Sequence, residues 1–309
     1  ETCEEYQKTL VDERARHKDE NEKIEEQLKQ ISFNWFVDLS FEEFIQKCIF
    51  PRAITSSFDA VYSARFLFKL NSMKIDNYSL VNVLDLLFKS KSLFGTLCSS
   101  TPTEAENIGL FFADILRTLQ GWRDESKYGE IGLQDQDGDA ITFDDFKKLL
   151  YDYHSLLLEE IRIGLQAPEY ISRNNTIIFL KNLLAVYPTV DDHGAQIVNL
   201  IEKLSTTEKR NDLKLASNAL LVHVKSKSKN WVPIWDFISM SEEEKEEIIK
   251  AKEEEKQRII KEEAEAKRQK ELELEKEKQM KLAKEEEEKK KLLAAASLNY
   301  DSLTAGGSG

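Results

Sequence analysis

Several residue types that mark common fold classes are scarce in this chain of 309 residues. It has 5 prolines and 11 glycines, and apolar and polar residues nowhere alternate over the length of a strand. An all-β sandwich needs frequent turn residues and alternating strands, so that class is excluded. The cysteines, Cys3, Cys48 and Cys98, are odd in number and far apart, which indicates reduced thiols and no zinc site.

Long hydrophobic runs and catalytic motifs are missing too. No apolar stretch reaches the roughly 18 residues that a membrane span needs, and no signal-peptide hydrophobic region is present, so we expect neither secretion nor a membrane span. Common hydrolase, nucleotide-binding and zinc-protease motifs are absent. The histidines have no nucleophile or ligand set near them in sequence: His17, His154, His193 and His223. We therefore predict no enzyme activity, no metal and no cofactor.

One acidic stretch begins like a calcium-binding EF-hand loop. Counting from Asp135, with Asp137 as its second acid, the sixth position is Ala140 where the turn needs glycine. The twelfth position is Phe146, where calcium needs a bidentate glutamate. We expect a polar loop that leads into a helix capped by Thr142.

Charge is unevenly distributed along the chain. Charged residues make up 33% of it and the formal net charge is −13, which disfavours a free-standing nucleic-acid binder. The middle nevertheless holds nearly all of the aromatic residues. We predict a charged helical extension over 1–39, a helical-repeat domain over 40–240, a charged single helix over 241–297 and a disordered tail over 298–309.

The two charged extensions differ in their apolar pattern. Leu10, His17, Ile24 and Ile31 recur every seven residues and form one narrow seam, which predicts a solvated helix, with packing along a partner's helix as the alternative. Residues 241–291 keep no such seam, but their Glu–Lys neighbours three or four apart each stabilise a helix by about 0.2 to 0.5 kcal/mol. Unbroken, that helix would reach about 75 Å.

Helix start signals divide the middle of the chain. Capping boxes, in which a Ser or Thr and an acid three residues later satisfy each other's amides, occur at Ser40 with Glu43, Thr101 with Glu104, Thr142 with Asp145, Ser205 with Glu208 and Ser241 with Glu244. Between them we predict helices near 41–50, 53–72, 77–98, 103–124, 142–165, 168–186, 191–204 and 207–228.

These helices, mostly joined by short links, predict the fold class. A pair spans roughly forty residues, the pitch of HEAT-like arrays, although no sequence motif repeats. We predict an all-α fold, an irregular α-solenoid of stacked antiparallel helix pairs with a long charged single helix at the C-terminus; a compact helical bundle is the alternative. Such arrays expose long ridged surfaces, which favours a scaffold for protein partners.

The densest periodic apolar run surrounds Pro51. We expect Phe50 to end one helix, because proline disfavours the α conformation before it and lacks an amide proton. In the next helix, a stripe at helical spacing is expected to be buried: Phe58, Val61, Tyr62, Arg65, Phe66 and Lys69.

Two sets of polar residues are candidate binding sites. Arg52, Asp59 and Arg65 lie in the helices beside Pro51. We expect a buried Arg–Asp bridge there, and the alternative is an outward arginine that anchors a partner, since arginine is enriched at binding hot spots.

The second set combines lysines with tryptophans: Lys225, Lys227, Lys229, Trp231 and Trp235. Such a combination can hold phosphates and stack bases, which makes it a candidate nucleic-acid site. In the alternative, the lysines offset the dipole of a helix C-terminus and the tryptophans pack under the following helix.

Four phrases, in order, resemble a known family. They are CIFPRAITSSFDAVYSARF at 48–66, LFGTLCSSTPTEAENIGLFFADILRTLQGW at 93–122, ITFDDFKKLLYDYH at 141–154 and YISRNNTIIFLKNLLAVYP at 170–188. They resemble the family of the largest THO complex subunit, in its C-terminal half, and within it a fungal member. The resemblance covers roughly residues 40–240.

This resemblance implies a non-enzymatic scaffold of the nuclear THO/TREX assembly, which couples transcription to messenger RNA packaging and export. Implied partners are the other THO subunits and the DEAD-box RNA helicase of TREX, in a hetero-oligomer. No individual binding residue is carried over, because the matching phrases are apolar, and the family's basic tail is not evident here. The alternatives are a direct RNA-binding helical module and a cytoplasmic spacer that uses its charged helix as a rod.

Overall fold

The computed structural model describes residues 2–281 except for 33, 132, 135–137, 255, 259–260, 262–263, 266–267, 270–274 and 277. The chain divides into two compact units, with the boundary between Ser239 and Met240. The EF-hand-like Asp135 and Asp137 and the predicted tail over 298–309 lie outside the described residues. The predicted segment limits at 39 and 297 stay predictions.

The described residues of the first unit are helical apart from turns, loops and two isolated bridges, Gln134 with Ala140 and Val190 with Val232. The helices are α1 Thr2–Ser32, α2 Trp35–Asp38, α3 Phe41–Phe44, α4 Phe50–Ala53, α5 Ser57–Ser72, α6 Leu80–Lys89, α7 Leu93–Ser99, α8 Pro102–Gly121, α9 Glu125–Ile131, α10 Phe143–Gln166, α11 Tyr170–Leu183, α12 Asp191–Thr207 and α13 Asn211–Lys227.

These helices pack in pairs around one continuous core. Helix α8 contacts α5 and α11, α10 contacts α11 and α12, and α12 contacts α13. Phe112 lies at the centre, with ring centroids 5.3 Å from Phe88 and 5.8 Å from Phe179. The predicted all-α, solenoid-like class is confirmed.

Two glycines allow the paired helices to approach closely. A β-carbon on Gly109 of α8 would lie 2.9 Å from the Cβ of Asn182. One on Gly164 of α10 would overlap Oγ1 of Thr176 and lie 3.0 Å from its Cβ and Cγ2. Since real Cβ atoms do not come this close, α11 packs against both neighbours at distances that only glycine permits.

Most of the predicted helix caps form. The side chains of Ser40, Thr101 and Thr142 accept hydrogen bonds from the amides three residues later. The predicted start at Ser205 is wrong: its hydroxyl donates to the Glu202 carbonyl (2.9 Å) inside α12, which continues to Thr207. Because this hydroxyl is bonded to a carbonyl of its own helix, it does not cap the start of a new helix.

The prediction that a helix ends at Phe50 is also wrong. Phe50 has helical angles (φ −65°, ψ −45°), and the helix continues through Pro51 to Ala53. Residues Ile45–Ile49 form a π-helical turn in which the Phe50 amide donates to the Ile45 carbonyl, one residue further back than in an α-helix. In a regular α-helix the ring of Pro51 would clash with the carbonyl four residues before it, and the wider π-turn moves that carbonyl away.

The stripe predicted to be buried on α5 lies mostly outside. Phe58 is 77% exposed and Tyr62 is 42% exposed. The buried face is instead made of smaller side chains and two leucines: Ala60, Ser63, Ala64, Leu67 and Leu70. Small residues let α5 lie close to α8. Just before α5, the Ile54 carbonyl at the end of α4 accepts a hydrogen bond from the side chain of Asn107 on α8 (2.8 Å). The aromatic side chains are left on the surface.

The second unit begins at Met240, and residues 242–254 are helical. The predicted box at its start forms: the Ser241 amide donates to Glu244 Oε2 (2.8 Å) and the Glu244 amide donates to Ser241 Oγ (3.3 Å). None of the helices in the described parts of the chain is long and apolar enough to span a membrane.

Candidate protein-docking surface

The outward side of α4 and α5 combines aromatic rings with cations. We call it the α5 surface and define it as Arg52, Phe58, Tyr62, Arg65, Phe66 and Lys69. The Arg52 guanidinium lies 4.1 Å from the centroid of the Tyr62 ring, and Tyr62 is stacked on Phe66 at 6.0 Å. Rings held in this way lose little side-chain freedom on binding, which is typical of interface anchors.

Asp59 fixes Arg52 in this position. Arg52 Nε donates to Asp59 Oδ1 (3.0 Å) and the Ser56 hydroxyl donates to Oδ2 (2.7 Å). The Ser56 hydrogen bond, and after it the Arg52 hydrogen bond, hold the pKa of Asp59 below its ordinary value. The predicted bridge exists but is not buried, because the Arg52 side chain is 51% exposed.

Arg65 makes a different ion pair. Its Nε donates to Oδ2 of Asp114 (3.2 Å), while Arg117 donates to Oδ1 of the same carboxylate (2.6 Å). The Asp114 side chain is only 5% exposed, whereas those of Arg65 and Arg117 are 72% and 56% exposed. One buried carboxylate thus holds two outward guanidinium groups, which leaves excess positive charge beside Tyr62.

The candidate nucleic-acid residues are not brought together as a stacking site. Lys225 donates to Glu202 (2.6 Å), while Lys227 and Lys229 are exposed at and just beyond the end of α13. Trp231 is packed against α12: a β-carbon on Gly194 would lie 2.5 Å from its ring. That indole face is covered by protein.

Trp231 belongs to a segment that we call the strap, residues 231–238. The Val232 amide donates to the Thr189 carbonyl (2.8 Å), and the Val232 carbonyl accepts from the Asp191 amide (3.0 Å). Within the strap, the side chain of Trp235 is half-buried and that of Phe237 is fully buried. Trp231 thus packs against the preceding helix α12, which does not favour base stacking, and the alternative that the tryptophans pack under the following helix stays a prediction.

Beneath the strap lies a histidine cluster that sequence spacing did not indicate. His154 has no exposed surface, and neither ring nitrogen has a hydrogen-bond partner among the described residues. Burial, and after it the charges of His193 and Arg123, lower the pKa of His154 to about 3. These residues lie on different elements far apart in sequence, so no local pattern identifies them.

One contact in this cluster resembles a nucleophile with its base. Ser155 Oγ lies 3.3 Å from Nε2 of His193, whose pKa is lowered by burial. Nδ1 of His193 has no hydrogen-bond partner among the described residues. In a catalytic triad an acidic group at this nitrogen orients the base, and no described residue takes that position here. No group of three or more potential metal ligands occurs in the described parts of the chain.

Comparison with known proteins identifies the family. The model of the Tho2 family, described as transcription factor/nuclear export subunit protein 2, matches residues 1–224. Three relatives carry the name THO complex subunit 2. The Saccharomyces cerevisiae protein is 31% identical over 66% of this chain, that of Mus musculus 26% over 77%, and that of Arabidopsis thaliana 26% over 63%.

The chain spans 12%, 16% and 11% of the lengths of the yeast, mouse and Arabidopsis relatives. The higher identity to the yeast protein fits the fungal member that the sequence phrases indicated. With a family match that runs through most of α13, the chain belongs to the Tho2 family.

Proposed function

We propose that this chain is a non-enzymatic scaffold segment of a nuclear THO/TREX complex that acts in messenger RNA packaging and export. In this proposal it assembles helical THO partners and docks a DEAD-box RNA helicase in a hetero-oligomer. The family match and the names of the relatives support membership of the complex. A helical array exposes ridged surfaces that suit such partners.

The observation that carries the docking part is the α5 surface. Phe58 is 77% exposed, a large apolar area for a single phenylalanine, and it lies one helical turn before Tyr62, over whose ring the Arg52 guanidinium is held at 4.1 Å. Aromatic residues and arginine are the types most enriched at binding hot spots. A helicase held on this surface would have its lobes biased towards one orientation, which shifts its cycle through differential binding.

The test is a binding assay with purified helicase and purified THO partners. The variant Phe58→Ser/Tyr62→Ser/Arg65→Ala should weaken binding of one of these partners by about tenfold or more, because hot-spot side chains each contribute at least about 1 to 2 kcal/mol. The matched control is Leu215→Ser/Val222→Ser, since these side chains on α13 are 73% and 66% exposed.

Equal loss in both variants, or no loss in either, would remove the α5 surface from the proposal. Failure of the parent chain to bind any THO partner or helicase would overturn the scaffold function itself and leave the charged rod as the alternative.

Direct RNA binding is the second candidate function, and the exposure of Lys227 and Lys229 favours it. On this hypothesis Lys225→Ala/Lys227→Ala/Lys229→Ala lowers affinity for a single-stranded oligoribonucleotide and reduces the salt slope by about 0.7 for each phosphate that is no longer neutralised. Fluorescence anisotropy at two salt concentrations measures both. Salt-sensitive binding that survives the triple substitution would exclude this site.

A further inference from the structure

A second surface, lined by residues other than those of the α5 surface, has a different chemistry. The chain between α2 and α3 and the outer face of α6 enclose an open depression of about 810 Å³. Its apolar lining includes Val37, Leu39, Phe41 and Leu86. A smaller depression of about 280 Å³, lined by Ile45, Phe50, Leu93 and others, lies next to it and shares Leu86. We call the two together the α6 groove.

The π-helical turn Ile45–Ile49 shapes one wall of this groove. Its first residue, Ile45, and the Phe50 that follows it both line the smaller depression. A π-turn widens the helix locally and changes the direction of its side chains, and such turns are frequent at functional sites. Val37, at the other end, is 62% exposed, so that end of the groove presents apolar surface to solvent.

The charge at the rim is negative. Lys47 is engaged by Glu43 (2.7 Å) and Lys89 by Asp85 (2.8 Å), so neither lysine contributes excess positive charge. Asp38 and Glu42 are exposed and form no ion pair with the described residues. An apolar groove with two free carboxylates on its rim complements a segment that carries cations beside apolar side chains.

We propose that the α6 groove docks a basic amphipathic segment of a protein partner, with apolar side chains over Leu86 and lysine or arginine at Asp38 and Glu42. Asn82 also lines the groove, and its buried Oδ1 has no hydrogen-bond partner among the described residues, so it offers an acceptor to the bound segment. The proposal does not rest on the α5 surface, which lies on other residues and is positively charged. A polyanion such as RNA is disfavoured by the same carboxylates.

The experiment selects peptides on the intact immobilised chain from a random 16-residue phage library, and then measures the labelled peptides by fluorescence anisotropy. The selected peptides should carry Lys or Arg together with apolar residues three or four apart. Asp38→Lys/Glu42→Lys should weaken their binding by about tenfold at low salt, and the effect should shrink at high salt. Asp38→Asn/Glu42→Gln, which preserves side-chain shape, should weaken it several-fold.

The control is Asp76→Lys/Glu106→Lys, which makes the same change in net charge at two exposed acids outside the groove. It should alter binding by less than about twofold. Equal weakening by both lysine pairs would show general attraction to an acidic protein and overturn the proposal. So would failure to select any peptide that carries Lys or Arg, or binding of the selected peptides that neither rim variant weakens.

Discussion

Replacing Gly164 with alanine is expected to lower the free energy of unfolding by about 3 kcal/mol, because the new methyl group would occupy the space of the Thr176 side chain. Thr176 cannot move aside freely, since it is fully buried and its hydroxyl donates to the Ser172 carbonyl (2.7 Å). The helices α10 and α11 would have to separate, and buried contacts along both would loosen. Chemical denaturation followed by circular dichroism measures the change.

Gly95→Ala is the matched control for this substitution. A β-carbon on Gly95 has no atom within 4 Å, so alanine there should stabilise α7 by about 0.5 to 1 kcal/mol through helix propensity alone. The double variant Gly164→Ala/Thr176→Ala should recover part of the loss, because it removes the overlapping atoms. If Gly164→Ala is as stable as the parent, the close approach of the two helices is wrong.

Lowering the pH from 7.5 to 5.0 should reduce the free energy of unfolding by about 2 kcal/mol through His154 alone. The pKa of His154 is depressed from 6.5 to about 3 in the folded protein. The unfolded chain therefore binds the proton first as the pH falls through 6.5. The stabilisation is complete above that value and decreases with falling pH until about pH 3.

The groups around His154 act in the same direction. Arg123 is held over Phe237 at 4.2 Å and pairs with Asp236 at 3.7 Å, so its fixed positive charge opposes a proton on the imidazole. His193, whose pKa is also lowered by burial, adds to the loss of stability. Carboxylates with lowered pKa values respond at more acidic pH, so the range between pH 7.5 and 5.0 reports mainly on the histidines.

His154→Leu separates this effect from the rest of the protein. The substitution should flatten the dependence of stability on pH, and it should have a small effect at pH 7.5 because the neutral ring makes no hydrogen bond from its side chain to the described residues. His223→Gln, at an exposed position of α13, should leave the slope unchanged. Because His193 also contributes, a shallower slope should remain in His154→Leu, and a slope as steep as that of the parent would contradict the assignment to His154.

The sequence was sufficient to predict several helix starts, although the equally local signals at Ser205 and Pro51 gave wrong predictions. Thr101 with Pro102 and Glu104 forms the expected capping box, and Thr142 and Ser241 cap their helices. Each of these caps depends on side-chain and backbone groups within one turn of the helix start, which a sequence pattern can identify.

Other features depended on distant partners and were missed. Periodicity identified α5 as a helix, but choosing between its aromatic face and its Ala60–Ala64 face required knowledge that α8 approaches closely enough to favour small residues. The break before α7 rests on Lys91, whose φ is 52°. Lysine is not a residue type that favours positive φ, so the sequence gives no sign of this break. The clusters around Asp114 and His154 assemble side chains from separate helices, so only the fold reveals them.

The packing of Trp231 on Gly194 makes the indole an intrinsic optical reporter. The chain has 4 tryptophans, and changing Trp35, Trp122 and Trp235 to phenylalanine would leave one emitter, at the strap. Emission from this covered ring would shift to longer wavelength when residues 231–238 leave α12. Partial opening at that end of the helical array would thus become visible in solution without any attached dye.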